Sequence, residues 1–151
     1  IWPWHQDLIF WKNEDGLQDS RIINVCIFLD DVSYINGPLM VMKGSHEEGM
    51  IDVPVSVEAN HRMRWMDDVS ANLKYQISSE KIRDLTPKYS IEVPTGKAGS
   101  VLFFNPNIVH GSGNNMSPYS RHMLMLTYSA VSNKPLNKST RPEFLVNRDF
   151  N

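Results

Sequence analysis

A histidine and an aspartate two positions apart near the start of the chain have the types and spacing of metal ligands. The segment reads Trp4-His5-Gln6-Asp7. In a β-strand, residues i and i+2 project from the same face, so the imidazole of His5 and the carboxylate of Asp7 would point together while Gln6 points away. Taken alone, a pair of this kind is also compatible with a polar patch that binds nothing.

A third ligand would have to come from a distant strand. The remaining histidines are His46, His61, His110 and His122. His110 is the best placed, because it ends the apolar run VLFFNPNIVH and precedes Gly-Ser-Gly, where the backbone can approach a ligand closely. For the other three we expect structural roles. Two histidines and one carboxylate on one face, with open positions opposite, are typical of non-haem Fe(II) oxygenases.

The open positions of such a site suit a 2-oxo acid and dioxygen. The 2-oxo acid would chelate the metal through its 1-carboxylate and keto oxygen, which leaves one position for dioxygen. Its distal carboxylate needs a partner, and Arg121 stands eleven residues after His110, at the start of the next predicted strand. A guanidinium group presents a planar fork to a carboxylate and stays charged when it is buried.

The order of these motifs resembles a known family. The His-x-Asp pair, then NGPLMVMKGSH (36–46), then His110 followed by GSGNNMSPYS and Arg121, is similar to the phytanoyl-CoA dioxygenase (PhyH) family of Fe(II)- and 2-oxoglutarate-dependent oxygenases. The resemblance is nearest the ectoine-hydroxylase-like branch and covers roughly residues 1–133. It implies a double-stranded β-helix, and it implies hydroxylation of an aliphatic C–H bond of a small molecule by O2, with release of succinate and CO2.

The resemblance also implies a role for each matching residue. His5, Asp7 and His110 would bind Fe(II), and Arg121 would pair with the 5-carboxylate of 2-oxoglutarate. Further positions would support this set: Ser112 beside that carboxylate, Trp2 near the cosubstrate, and Trp11 and Met123 on the substrate side.

Ectoine is not expected as the substrate. Met123 and Met125 stand where the ectoine hydroxylases carry Asn and Phe, and Leu8 and Ile9 replace aromatic and polar residues. An apolar replacement removes the hydrogen bonds that a polar zwitterion needs. Met40, Met42, Met123 and Met125 occur in pairs at i, i+2 spacing, and we interpret such methionines as core filling in preference to a substrate box.

Breaker residues divide the rest of the chain into short strands. Gly, Pro and Asn separate runs rich in Val, Ile, Phe and Met, which favours an all-β fold with minor helix, of the antiparallel jelly-roll (cupin-like) type. Asn36-Gly37 predicts a hairpin turn between two of the strands. The predicted strands are 2–11, 21–31, 38–42, 89–94, 99–113 and 121–131, with a polar loop at 12–20.

One domain is expected, because 151 residues suffice for a single core. We assign residues 1–133 to the catalytic core, with a loop or helical insertion at about 56–89, and 134–151 to an extended tail. Within the insertion, Ser78 could cap a short helix, and we interpret residues 68–84 as a solvated surface. The N-terminal part of the usual family fold is expected to be missing.

The composition of the chain indicates which classes of binding partner to expect. A net charge of −2 gives no basic footprint for nucleic acid or an anionic membrane, so a small-molecule substrate is expected. The single cysteine, Cys26, excludes an internal disulfide and lies in an apolar run as a small hydrophobe. No run long enough to span a bilayer and no signal peptide is visible, so we expect a cytoplasmic protein. The oligomeric state is open.

Other functions remain as alternatives. Halogenation is disfavoured, because Asp7 occupies the position that a halide would need. A hydrolase that holds Zn(II) on the same ligands would leave Arg121 and the Gly-Ser-Gly segment unexplained. A jelly-roll binding module without catalysis is the third alternative. The sequence does not specify the substrate.

Overall fold

Two antiparallel β-sheets form the part of the chain that the computed structural model describes, residues 2–55 and 73–136. One sheet has the strand order β1-β6-β3-β4 and the other the order β5-β2-β7. This arrangement confirms the predicted all-β jelly roll. The strands are β1 (Trp2–His5), β2 (Ile22–Phe28), β3 (Leu39–Met42), β4 (Ile91–Glu92), β5 (Val101–Phe104), β6 (His110–Ser112) and β7 (Met123–Ser129).

Short helices connect the strands. They are α1 (Leu8–Phe10), a π-helical turn (Trp11–Asp15), a 3-10 helix (Ser45–Glu48) and α2 (Ser79–Leu85). Ser78 caps α2 as predicted, since its side chain accepts a hydrogen bond from the backbone N–H of Lys81 at 3.2 Å. Within 2–55 and 73–136, none of the helices has the length and apolar character needed to cross a bilayer.

The two sheets pack face to face through a shared apolar cluster. Cys26, Phe28 and Phe104 come from one sheet, and Leu39 and Val41 come from the other. All five side chains are buried. The thiol of Cys26 is fully enclosed, as expected for a cysteine that acts as a small hydrophobe.

The prediction of a strand over residues 2–11 is wrong beyond His5. Strand β1 ends there, and Asp7 adopts a helical conformation as the N-cap of α1. The apolar run Leu8–Phe10 is buried as a helical turn, and the predicted loop at 12–20 begins inside the π-helical turn, which ends at Gly16 in a left-handed conformation (φ 76°). A short apolar run without alternation is compatible with either element, and here packing against neighbouring segments selects the helix.

The predicted hairpin at Asn36-Gly37 is also wrong. Strands β2 and β3 lie in different sheets, so the connection between them crosses from one sheet to the other. The buried side chain of Asn36 organises this crossing by accepting a hydrogen bond from the N–H of Ser33 and donating one to the carbonyl of Asp31. The Asn-Gly pair indicates only that the chain turns. Packing of the whole domain determines which sheet the following strand joins.

The described part of the predicted insertion is not solvated surface. Leu73, Tyr75 and Ile77 are buried, and they alternate with more exposed residues. Leu73 and Tyr75 pack with the α1 region, while Ile77 joins a cluster that contains Met42. The expected core filling is confirmed for Met42 but is wrong for Met125, which is 46% exposed. The remaining insertion residues at 56–72, including His61, and the tail from 137 onward lie outside the described residues.

Candidate metal and cosubstrate site

Antiparallel pairing of β1 and β6 brings two histidines together. His5 ends β1, His110 begins β6, and the two residues are direct register partners with ring centroids 4.2 Å apart. Gly111 permits this close approach, because a Cβ at that position would lie 2.9 Å from the carbonyl oxygen of Trp2. The Gly-Ser-Gly segment therefore sits where one strand passes tightly against another.

Asp7 completes a three-residue cluster. Its Oδ1 lies 3.4 Å from Nε2 of His5, and its Oδ2 lies 3.6 Å from Nε2 of His110. One ligand atom from each residue lies within 4.8 Å of the other two, and the described part of the chain has no second cluster of this kind. The predicted triad is thus assembled, although the helical turn at Asp7, rather than strand alternation, aims the carboxylate.

Both imidazoles have the tautomer that metal binding requires. Nδ1 of His5 lies 2.7 Å from the carbonyl oxygen of Pro3, and Nδ1 of His110 lies 3.0 Å from that of Ile108. A carbonyl oxygen only accepts, so each Nδ1 carries the proton and donates it. The lone pair of each Nε2 is then directed at Asp7 and is free to bind a cation.

Burial and charge favour the ligating protonation states. Burial lowers the pKa of His110 to about 4, so its imidazole is neutral at physiological pH. Burial alone would raise the pKa of the Asp7 carboxyl, but its interactions with His110, His5 and the amide of Asn24 outweigh burial, and the net shift is downward. A neutral imidazole and an ionised carboxylate are the forms that bind a metal. The donor set fits Fe(II), whose two-histidine, one-carboxylate sites have this composition.

Asn24 is a functional candidate that the sequence analysis missed. It lies on β2, is 1% exposed, and donates a hydrogen bond from Nδ2 to Oδ2 of Asp7 at 2.6 Å. Its Oδ1 accepts a hydrogen bond from the hydroxyl of Thr127 at 2.9 Å. The available signal was a single amide in the otherwise apolar run IINVCIFL.

The triad opens into a cavity of about 320 Å³. Every residue predicted to have a role in the site lines this cavity, and five further residues that the sequence analysis did not assign to the site line it as well. The complete lining is Trp2, His5, Asp7, Phe10, Trp11, Glu14, Leu39, Leu73, His110, Ser112, Arg121, Met123 and Met125. The spacing of Asp7, Phe10, Trp11 and Glu14 places them on one helical face, a pattern that the strand interpretation concealed.

Arg121 supplies a cation to the cavity. Its side chain is partly buried, and Nη1 contacts Sδ of Met123 at 3.3 Å. Within 2–55 and 73–136, no carboxylate forms an ion pair with it. Burial lowers the pKa of Arg121, with Cys26 acting in the opposite direction, but a guanidinium remains charged in a protein interior. A partly buried cation without a carboxylate partner is suited to an anionic ligand.

Of the remaining residues considered in the sequence analysis, some line the cavity and others do not. Ser112 is the register partner of Trp2 across β6 and β1, so both lie on the same side of the cavity as the triad. His122 points to solvent and interacts with Asp30, while His46 is exposed. Neither lines the cavity.

Comparison of sequences finds a family and close relatives. The family model described as Phytanoyl-CoA dioxygenase (PhyH) matches residues 2–123. The L-proline trans-4-hydroxylase of Streptomyces griseoviridis is 40% identical over 148 residues, which cover 98% of this chain and 55% of that protein. The ectoine dioxygenase of Nocardia farcinica (strain IFM 10152) is 34% identical over 151 residues, covering 97% and 49%. The chain therefore spans about half the length of the curated relatives it matches.

Comparison with solved structures finds structures of a protein named EctD. The crystal structure of EctD from S. alaskensis with 2-oxoglutarate and 5-hydroxyectoine superposes with a TM-score of 0.73 at 32% identity, covering 97% of this chain and 46% of that one. The structure of the same protein with bound Fe superposes with a TM-score of 0.72 at 31% identity, covering 98% and 46%.

Proposed function

Because the chain belongs to the phytanoyl-CoA dioxygenase family, we propose that it is the core of an Fe(II)- and 2-oxoglutarate-dependent dioxygenase. It would hydroxylate an aliphatic C–H bond of a small molecule and release succinate and CO2. The observation that carries this proposal is one cavity that contains both the His5, Asp7 and His110 cluster and the cation of Arg121.

The ligand cluster would hold the iron on one face. Fe(II) in such a site supplies activation of O2, with 2-oxoglutarate as the source of two electrons. His5 and His110 would bind it through their Nε2 atoms, and Asp7 would provide the negative charge that offsets part of the charge of the cation. The cavity lies beside these donor atoms, which leaves room there for cosubstrate and substrate.

Arg121 would orient 2-oxoglutarate. Its guanidinium is suited to the carboxylate farthest from the metal, because it offers parallel N–H donors in a fixed plane. Ser112 would donate a hydroxyl hydrogen bond to the same group, and Trp2 would contact the cosubstrate from the side of β1. The position of the three side chains along one cavity supports these roles.

Apolar side chains would shield the reaction from water. Phe10, Trp11, Leu39 and Leu73 form a largely apolar wall beside the ligand cluster. Excluding water protects reactive species and strengthens the electrostatic interactions inside the site. Met123 lines the same cavity, and its thioether cannot replace the hydrogen bonds of an amide, so we propose a substrate other than ectoine.

A hydrolase with Zn(II) on the same ligands is less well supported. Hydrolysis needs a metal-bound water but no 2-oxo acid, so it would not explain why Arg121 lines the cavity without an ion pair to any carboxylate of the described residues. A binding module without catalysis would not require two imidazole Nε2 atoms beside one carboxylate in the cavity that also holds Arg121.

We also propose a small-molecule substrate and a cytoplasmic location. The relatives named above act on proline and ectoine, which supports a small substrate. The buried free thiol of Cys26 is compatible with a reducing compartment.

The decisive experiment combines metal binding, cosubstrate binding and turnover in the full-length protein. Under anaerobic conditions, Fe(II) followed by 2-oxoglutarate should produce the visible charge-transfer absorption of a chelated 2-oxo acid, and admission of O2 with a panel of amino acids should release succinate. His110→Ala should lose iron, whereas the exposed His122→Ala should retain it. Unchanged iron content in His110→Ala would contradict the ligand assignment, and preferential activity with Zn(II) would favour hydrolysis.

A further inference from the structure

Glu14 is a charged side chain of the cavity that neither iron nor 2-oxoglutarate would use as a partner. Among the described residues that line the cavity, Asp7 would bind the metal and Arg121 the cosubstrate. Glu14 lies on the π-helical turn that follows α1 and is seven residues after Asp7, on the same helical face. Its carboxylate therefore adds a negative charge to the wall formed by this helical segment.

The contacts of Glu14 show which kinds of hydrogen-bond donor bind to its carboxylate. Its Oε1 accepts hydrogen bonds from the ammonium group of Lys74 at 2.5 Å and from the hydroxyl of Tyr75 at 2.9 Å. Both hydrogen bonds end on the same oxygen, and within residues 2–55 and 73–136 no donor is seen at Oε2, which leaves it for a ligand. The side chain is 28% exposed, which gives a ligand access to it.

Aromatic side chains lie near this carboxylate: Tyr75 donates a hydrogen bond to it, and Phe10 and Trp11 line the same cavity. Tyr75 packs edge-on against Phe10 with ring centroids 4.9 Å apart, and Trp11 belongs to the same apolar cluster. The ammonium of Lys74 lies 5.4 Å from the centre of the Tyr75 ring. A carboxylate beside aromatic faces is a favourable environment for a cationic nitrogen, and the chain already places one of its own there.

We propose that Glu14 is a specificity-determining residue that binds the protonated amine of the substrate, which makes the substrate a small amine or amino acid. This proposal rests on the proposed function, because it assigns Asp7 and Arg121 to metal and cosubstrate. The ammonium group would donate to Oε2 while the aromatic rings contact the adjoining carbons. The charged hydrogen bond, rather than shape alone, would then select the substrate.

The chain contains a matched control for this carboxylate. Glu48 accepts hydrogen bonds from Lys88 Nζ at 2.6 Å and from the Tyr89 hydroxyl at 2.7 Å, the same arrangement as at Glu14. Glu48 does not line the cavity that holds the ligand cluster. A Glu→Gln change at either position keeps an oxygen that can accept from the tyrosine but removes the charge.

The test measures binding of matched probes to the full-length protein. L-Proline is compared with cyclopentanecarboxylate, and pyrrolidine with cyclopentanol, by calorimetry or ligand-detected NMR, with and without Ni(II) and 2-oxoglutarate. We expect the protonated amine of each pair to bind about tenfold more tightly. Glu14→Gln should abolish this preference, whereas Glu48→Gln should retain it.

A second variant separates recognition from a purely structural role. Lys74→Met removes the competing ammonium, so it should strengthen amine binding, whereas a structural ion pair would only lose thermal stability. Absence of an amine preference in the wild type, or its persistence in Glu14→Gln, would overturn the proposal. Failure of the protein to bind metal would contradict the proposed function but would leave the amine preference of Glu14 measurable without metal.

Discussion

The amide of Asn24 donates a 2.6 Å hydrogen bond to Oδ2 of Asp7, the carboxylate oxygen that faces His110. The other oxygen faces His5. The rotation of the Asp7 carboxylate is therefore fixed by a residue on the opposite sheet, and Asn24 is held in turn by Thr127. This contact joins the two sheets at the ligand cluster.

Asn24→Ala should weaken metal binding without removing it. Loss of a hydrogen bond to a ligating carboxylate lowers metal affinity by roughly 10- to 100-fold in comparable sites. Isothermal titration with Ni(II) at constant pH would measure the change. Thr127→Val, which removes only the contact behind Asn24, should have a smaller effect. Equal affinity in Asn24→Ala and wild type would show that Asp7 needs no such support.

Arg121→Gln should impair cosubstrate binding and leave metal affinity nearly unchanged. Removing the charged partner of a buried carboxylate costs on the order of 2 kcal/mol or more of binding free energy. Titration of 2-oxoglutarate into the metal-loaded variant would show this loss. Arg21→Gln serves as the control, because Arg21 is exposed and paired with Asp19. If both variants bind 2-oxoglutarate equally well, Arg121 does not hold it.

The metal-free protein should lose stability as the pH falls from about 6.5 to about 4. Burial lowers the pKa of His110 from 6.5 to about 4, so between these values the unfolded chain binds a proton that the folded chain excludes. The free energy of unfolding therefore falls with decreasing pH over this window and is insensitive to His110 above it. Asp7, whose pKa is also lowered, extends the loss below its usual value of 3.8.

Urea unfolding at a series of pH values would measure this dependence. His110→Gln removes the titrating group and should flatten the curve between pH 6.5 and 4. His122→Gln, at an exposed position, tests whether any histidine gives the same result. A wild-type curve that is already flat in this window would show that the buried imidazole is protonated as readily in the folded chain as in the unfolded chain.

Gln6→Ala should destabilise the fold. The side chain is 2% exposed, donates to the carbonyls of Gly49 and Asn107, and accepts from the N–H of Ile51. Each unsatisfied buried group costs about 1–3 kcal/mol, so a loss of about 2–5 kcal/mol in unfolding free energy is expected. Gln18→Ala, at an exposed position, should change it by less than about 0.5 kcal/mol. Similar denaturation midpoints for the two variants would contradict this role.

The sequence predicts the ligand cluster well because residue type and motif order carry that information. His5, Asp7 and His110 are chemically distinctive, and β2 is recognisable as an apolar run of β-branched residues. Burial of Cys26 follows from the same run. These features depend on local composition, so they can be deduced without knowing which segments meet in space.

The features that the sequence does not predict depend on tertiary packing. Nothing local to Asn36-Gly37 determines that β3 joins the other sheet, and the short run Leu8–Phe10 fits a strand or a helix until its neighbours are known. The contact of Asn24 with Asp7 joins residues that belong to different sheets or their extensions. A polar residue in an apolar strand indicates that a partner exists, but the partner itself is defined by the fold.

Each histidine of the cluster hydrogen-bonds to the carbonyl of the residue two positions before it, Pro3 for His5 and Ile108 for His110. The ring orientation is therefore set by each ligand's own backbone segment before any ion arrives. Ordering a side chain costs conformational entropy, and for these two histidines that entropy is lost when the chain folds rather than when the metal binds. Metal binding should then require little reorientation of these two imidazole rings.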